Sequence, residues 1–216
     1  MIKIEYVETW GFKHAIRGMR NPMNSWDKSD SSGNALGWYV GPNDLDLMQR
    51  LYKAGPSHRK FMRQIFISMD VVAPLYWWKE MDTYKIGVTA NSCSTMHKLT
   101  EKKFDFDDFS CDKMDEQGIR VLMEIIGVLN ILRGGYLRAE HSELPAVKKQ
   151  FWWNLIQFLP SSYNQRRTIT MSYENAANII EQRSGHKLDE WKVFTNELKK
   201  LPYLAEIMGG PSENEN

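Results

Sequence analysis

Residues Ile2 to Val7 alternate apolar and charged side chains, with Ile2, Ile4 and Tyr6 on one face. That is the two-residue period of a half-buried strand. Phe12 to Met19 predicts a short helix. Residues 20–42 then carry prolines, glycines and serines with no steady period, which predicts a long irregular segment. Loops of that length are usually functional or disordered, and Trp26, Trp38 and Tyr39 argue for partial order, as in a lid. Asn43 or Asp44 can cap a following helix, with Leu45, Met48, Leu51 and Tyr52 on one stripe and Gly55 at its end. Gln64 to Val72, rich in Ile and Val, reads as a strand leading into a helix opened by Ala73-Pro74. Proline at a first helical position forfeits no needed hydrogen bond.

That helix carries Tyr76, Trp77 and Trp78, a block of apolar surface that has to be buried. It gives way to Gly87-Val-Thr-Ala-Asn-Ser-Cys-Ser-Thr95, which lacks hydrophobic period and reads as a polar loop rich in hydrogen-bonding groups. Residues 101–112 form a charged connector anchored by Phe104, Phe106 and Phe109. The longest apolar element spans about Asp115 to Arg138: Ile119, Leu122, Met123, Ile126 and Leu129 make one stripe, and Val121, Ile125, Val128 and Leu132 widen it nearly all round. A helix so apolar belongs at the centre of a domain or at a subunit interface. Pro145 opens another helix, stopped by Leu159-Pro160. Arg166 to Met171 is β-prone, Ser172 can cap a helix to Arg183 with Gly185 beyond it, and a last helix runs from about Lys187 to Leu201. Alternating strands and helices predict a mixed α/β (α+β) fold, one domain over residues 1–208 with 209–216 as a disordered tail.

Composition narrows the function classes. In 216 residues, 42% are hydrophobic and 25% charged, which is globular rather than disordered. A formal charge of +1 gives no bulk electrostatic case for nucleic acid or membrane. No run approaches the roughly 18 apolar residues of a span, and the first residues lack the apolar stretch of a signal peptide, so a cytoplasmic protein is expected. Cys93 and Cys111 have no CxxC spacing, and the five histidines lie far apart, so neither disulfide nor metal is expected. Eight tryptophans and twelve methionines suit large apolar contacts or an oligomer interface.

Three stretches could carry chemistry. Thr89-x-Asn91-x-x-Ser94 offers small donors to a ligand, or is an ordinary surface loop. Ser57-His-Arg-Lys-Phe-Met-Arg63 gathers positive side chains that could meet a phosphate, or is a solvated turn. Asn178-x-x-x-x-Arg183-x-x-His186 can bring an amide, a guanidinium and an imidazole near a helix end, where an arginine can also simply satisfy terminal carbonyls. P-loop, GxGxxG, HExxH and GxSxG motifs are all missing.

From about Asp44 to Trp191, the order of features resembles the flavin-dependent thymidylate synthases. That family has a strand, Ala-Pro, an aromatic helix and the signature RHRxxSxNxxSxR. Here Ile65 to Trp78 stands first, and Thr89, Asn91 and Ser94 fall on the signature's Ser, Asn and Ser. Leu159-Pro160 followed by Asn178, Arg183 and His186 is similar to the family's last block. The Arg-His-Arg falls on Tyr84-Lys85-Ile86, or on Thr83-Tyr84-Lys85 with the gap moved, and the final arginine falls on Met96. The family's arginine before Leu-Pro becomes Ile156 or Gln157. Guanidinium forks are thereby lost that lysine cannot reproduce.

The resemblance implies FAD as cofactor, with methylenetetrahydrofolate and NADPH as co-substrates, and reductive methylation of dUMP or a related pyrimidine nucleotide. It implies substrate contacts from Glu80, Ser94, Thr95, Met96 and Arg183, and cofactor contacts from Arg63, Lys85, Thr89, Asn91, Asn178 and His186. It also implies a homotetramer. The alternative is a catalytically inactive nucleotide-binding or scaffold descendant.

Overall fold

The computed structural model describes residues 2–34, 37–140 and 145–210. Of the expected disordered tail, 209–216, residues 211–216 lie outside the described residues, while the N–H groups of Gly209 and Gly210 donate to the carbonyls of Glu206 and Ala205. Helices and strands are mixed. One four-stranded sheet is built from β1 (Lys3–Trp10), β4 (Phe66–Pro74), β6 (Asn164–Ser172) and β5 (Val88–Ser92), in the order β1-β4-β6-β5. A two-stranded antiparallel ribbon pairs β2 (Ser32–Asn34) with β3 (Gly37–Tyr39). The chain divides into two compact units. One comprises Met1–Lys3, Val71–Thr83 and Asn91–Arg167; the other comprises Ile4–Asp70, Tyr84–Ala90 and Thr168–Asn216.

In the first unit, α3 (Leu75–Met81) follows β4 directly. Pro74 is the residue before this helix, not its first helical position, and it belongs to the strand. Proline cannot cap with a side chain, and the orphan N–H groups of Leu75 and Tyr76 instead donate to the carbonyls of Tyr163 and Ser161, both at 3.0 Å. Trp77 and Trp78 are buried, and the Trp78 indole N–H finds the Gln165 carbonyl at 2.9 Å. The rest of the core gathers Leu99, Phe104, Phe109, Leu122, Leu129 and Leu155. The last four come from the connector and from α5 (Glu116–Glu140) and α6 (Pro145–Phe158). Helix α5 buries only one stripe. Met123 (61% exposed) and Ile131 (71%), with Val121 and Val128, face outward in this single chain, so the all-round apolar pattern is not matched by all-round burial.

The second unit packs α1 (Phe12–Arg20), α2 (Pro42–Lys53), a 3-10 turn at Arg59–Gln64, α7 (Tyr173–Arg183), α8 (Asp189–Lys199) and a short α9 (Leu204–Ile207). Its aromatic contacts include Phe12 edge-on to Tyr173 and to Tyr203, and Trp191 against Phe194. Ser172 caps α7 as its sequence predicts, in a capping box with Asn175. The capping of α2 differs: Gly41 is the N-cap, and the Asp30 carboxylate accepts from the N–H groups of Asn43 (2.8 Å) and Asp44 (3.1 Å). Asp44 points inward as a hub for the preceding segment. It accepts from Arg20 Nε (2.6 Å), the hydroxyls of Ser29 and Ser31 (each 2.7 Å) and the backbone N–H of Asp30 and Ser31 (each 3.2 Å). Residues 20–34 and 37–42 are therefore a fastened strap with two 3-10 turns and the ribbon, where the sequence reads as loop.

Two further elements depart from the periodic reading. Tyr6 adopts φ +52 and is 75% exposed, so the expected Ile2/Ile4/Tyr6 face is broken after Ile4 by a local kink of the strand. The run 87–95, predicted as loop, forms β5, the short helix α4 (Thr95–Lys98) and the link between them. β5 is the last strand in the sheet order, and a sheet edge tolerates a strand in which only Val88 is a sizeable apolar side chain.

Candidate functional site

The polar run delivers its distal half to a cavity in the first unit. The strand ends at Ser92, Cys93 N–H donates to the Arg166 carbonyl (2.9 Å), and the Cys93 carbonyl accepts from Gln165 Nε2 (2.7 Å). These bonds set Ser94 and Thr95 on the wall of a cavity of about 490 Å³, a volume that suits a small organic ligand. Lys98, Lys102 and Arg166 bring positive charge to the same walls, Glu101 and Asp108 negative charge, and Tyr163 and Phe104 ring surface. Lys98 is ion-paired with Glu101, and Lys102 with Asp108. Each carboxylate holds its ammonium protonated by a hydrogen bond, which raises the lysine above its ordinary pKa. Burial pushes the Tyr163 phenol up to about 12, so it remains a neutral donor in the physiological range. Ser110 Oγ donates to Asn164 Oδ1 (2.8 Å) and fixes another wall residue. The arrangement offers hydroxyls and ammonium groups to an anion, each ammonium already shared with a carboxylate.

Of the other expected site residues in this unit, Met96 and Glu80 (substrate) and Asn91 (cofactor) are not among the cavity walls. Met96 lies one residue past Thr95, and its carbonyl accepts from the Trp152 indole N–H (3.0 Å). Glu80 lies on α3, where its carbonyl accepts from Thr83 Oγ1 (2.7 Å), and Asn91 is exposed on β5.

The remaining expected site residues belong to the second unit. Arg183 ends α7, with Nε donating to Tyr84 Oη at 2.9 Å. Its guanidinium carbon lies 4.8 Å from the Trp191 ring centroid and 5.6 Å from that of Tyr84. Tyr84 Oη donates in turn to Gln182 Oε1 (3.0 Å). His186 Nδ1 accepts from the Leu188 N–H (3.2 Å), and its ring lies 6.2 Å from that of Trp191. Asn178 Oδ1 accepts from Arg59 Nη2 (2.9 Å), while Arg59 also faces Glu174 (3.5 Å) and covers the Tyr52 ring (5.0 Å). Arg63 is ion-paired with the same Glu174. Lys85 and Thr89 are exposed, and Ile86 is 92% exposed at the turn between them. That turn is tied to α7: Asn175 Nδ2 donates to the Ile86 carbonyl (2.8 Å), and Gly87 has φ +74, where a Cβ would sit 3.0 Å from Asn175 Oδ1.

The structure thus joins Ser94 and Thr95 in one cavity, and links Arg183 and His186 through Trp191. It also adds residues that the sequence reading passes over. Lys98 and Lys102 lie within eight residues of Ser94, a local pair of cations that could have flagged them, although the helix ends at Lys98. Arg166 reads only as part of a β-prone segment, and Trp191 only as part of the last helix. Among the described residues, no group of three or more His, Cys, Asp and Glu side chains could hold a metal, and no helix is long and apolar enough to cross a membrane.

No family model matches the chain, and no curated protein sequence does. Solved structures do. Thymidylate synthase X (ThyX) from Helicobacter pylori with FAD and dUMP superposes with a TM-score of 0.67 at 16% identity, over 96% of this chain and 97% of that one. A second structure of the flavin-dependent thymidylate synthase ThyX from Helicobacter pylori, complexed with FAD and dUMP, gives 0.66 at 16% identity, over 95% and 97%. Over nearly its whole length, this chain has the fold seen in flavin-dependent thymidylate synthase X.

Proposed function

We propose that this protein binds a pyrimidine deoxynucleotide of the dUMP type and FAD, as the ThyX structures of the same fold do. One observation carries the nucleotide half. Ser94 and Thr95, the residues the resemblance assigns to substrate, line a cavity together with Lys98, Lys102 and Arg166. Hydroxyls and cations lining one cavity suit a phosphate monoester. Arg183, held by Tyr84 and Trp191, is the second substrate residue by the same reading, while the roles of Glu80 and Met96 rest on the resemblance alone.

For the flavin, the donor chemistry fits. Asn178 spends its oxygen on Arg59, which leaves its amide N–H groups for a ring carbonyl. The Arg63 side chain stays 54% exposed beside its carboxylate, and Lys85 and Thr89 are exposed, so cations and a hydroxyl remain in reach of a pyrophosphate. Asn91 and His186 complete the expected set. Bound reduced FAD would supply the hydride of a reductive methylation, with methylenetetrahydrofolate as carbon donor and NADPH as reductant; the chain's task is to bind and orient these partners.

A second reading has its own support. Tyr84, Lys85 and Ile86 stand where the signature has its Arg-His-Arg, and Ile86 presents an exposed apolar side chain there. A protein that keeps the nucleotide cavity and lacks turnover would look the same. A visible spectrum with and without FAD, calorimetry with dUMP, and tritium release from labelled dUMP under reducing conditions separate the readings. Binding without release supports the inactive descendant. Failure to bind either molecule at high micromolar concentration overturns the proposal. The outward apolar residues of α5 support self-association into a tetramer, and light scattering that returns a monomer would refute it.

A further inference from the structure

We infer that Tyr84 is a positioning residue for Arg183, taking over orientation at a place where the signature would have a guanidinium; the functional half of this inference rests on the nucleotide reading above. Three observations in the second unit carry it. Tyr84 Oη accepts from Arg183 Nε at 2.9 Å, which fixes one edge of the guanidinium. The same oxygen donates to Gln182 Oε1 at 3.0 Å, so its proton points away from Arg183 and its lone pair toward it. The Tyr84 and Trp191 rings meet edge to face at 6.0 Å, and the guanidinium lies within reach of both ring faces.

A guanidinium is a flat fork, useful to a ligand only in the right plane. An arginine at a helix end normally samples many rotamers, and each must be lost again on binding. Here a hydroxyl and two rings set the plane before any ligand arrives. The turn that carries Tyr84 is itself held, since Asn175 ties the Ile86 carbonyl to α7. Tyr84 and Arg183 are thereby anchored to the same helix, and the hydroxyl is aimed by Gln182, the residue beside Arg183.

The test compares wild type with Tyr84→Phe, Gln182→Met, Arg183→Lys and the double variant Tyr84→Phe/Arg183→Lys. The first readout is the Arg183 Nε–Hε NMR signal, assigned by its loss in Arg183→Lys; the second is dUMP affinity by calorimetry; the third is thermal melting. In Tyr84→Phe, the Nε–Hε signal should move toward the position of a free arginine and exchange about tenfold faster, with melting little changed. The dUMP Kd should rise roughly two- to tenfold, because the rotamer freedom that Arg183 regains has to be lost again on binding. Gln182→Met should move both readouts the same way by less. In the Arg183→Lys background, Tyr84→Phe should add less than about twofold, because its effect passes through the arginine. An unmoved Nε–Hε signal overturns the inference, as does an equal affinity loss in both backgrounds, which would mean that Tyr84 touches the nucleotide itself. If wild type fails to bind millimolar dUMP, the nucleotide reading falls, and the Nε–Hε signal alone then decides whether Tyr84 positions Arg183.

Discussion

Replacing Asp44 with asparagine should unfasten the 20–42 strap. The carboxylate is fully buried and accepts five hydrogen bonds, one of them from the buried Arg20 guanidinium. An asparagine keeps one acceptor oxygen, so either Arg20 or the Ser29–Ser31 donors lose their partner. Leaving a buried charge uncompensated costs about 3–5 kcal/mol. At roughly 2–4 °C per kcal/mol for a chain of this size, the melting point should fall by about 6–20 °C. Burial by itself would raise the Asp44 pKa; the hydrogen bonds from Ser31, Ser29 and Arg20 outweigh it and lower the pKa below its ordinary value. A carboxylate lowered on folding adds stability that is complete above its unfolded pKa and is lost as pH falls through the folded one. Wild type should therefore lose this contribution below about pH 4, and Asp44→Asn should show a flatter acid limb. Urea unfolding followed by circular dichroism at several pH values measures both effects, and tryptic cleavage after the exposed Lys28 reports the strap directly. A stability loss under about 1 kcal/mol, with cleavage unchanged, would refute the view that Asp44 holds the segment.

Glu101→Gln removes the carboxylate that competes for Lys98 at the cavity wall, and should tighten dUMP binding by about three- to tenfold at low salt; unchanged affinity on calorimetry would take Lys98 out of the phosphate contact. Tyr163, pushed by burial to about 12, should ionise late in an ultraviolet titration, and Tyr163→Phe should remove that late step. Because its folded pKa lies above the unfolded value near 10, its contribution to stability should persist below pH 10 and decline as pH rises toward 12. Gly11→Ala should cost more than about 3 kcal/mol in urea unfolding, since Gly11 has φ +102 and a Cβ would sit 2.0 Å from the Gln64 carbonyl oxygen.

Much of the fold is legible in the sequence because local patterns and tertiary structure agree. Ser172 and its neighbours announce α7, Pro145 opens α6, and the Ile-Val run gives β4. Misreadings arise where a distant partner decides. Nothing local says that Asp30 will cap α2 from twelve residues before its start, or that Asp44, itself a good cap residue, will turn inward to gather serines. Residues 88–92 look like loop because the pairing that makes them a strand comes from elsewhere in the chain. For the site, motif order leads to Ser94 and Thr95 on the cavity wall and to Arg183 beside Trp191. Lys102, Arg166 and Tyr163 escape because each belongs to a different element, and only folding brings them to one cavity.

The charges in both units point the same way. In the second, Arg59 and Arg63 converge on a single carboxylate, Glu174, and Arg59 also faces Glu181 at 4.0 Å. In the first, Lys98 and Lys102 each hold a carboxylate of their own. A phosphate bound as proposed at either group would have to displace or share these internal counterions, so its Coulombic gain would be reduced and what remained would depend on salt. A site built on several unshared arginines would gain more from the anion itself. On the proposed nucleotide reading, shape and orientation would have to contribute more: in the first unit through the Ser94 and Thr95 hydroxyls and the neutral Tyr163 phenol, and in the second through the plane of Arg183 set by Tyr84 and Trp191. Discrimination among nucleotides should follow the same division. It should be modest in the number of phosphates, which charge would read, and sharper in the base, which fixed donors read best.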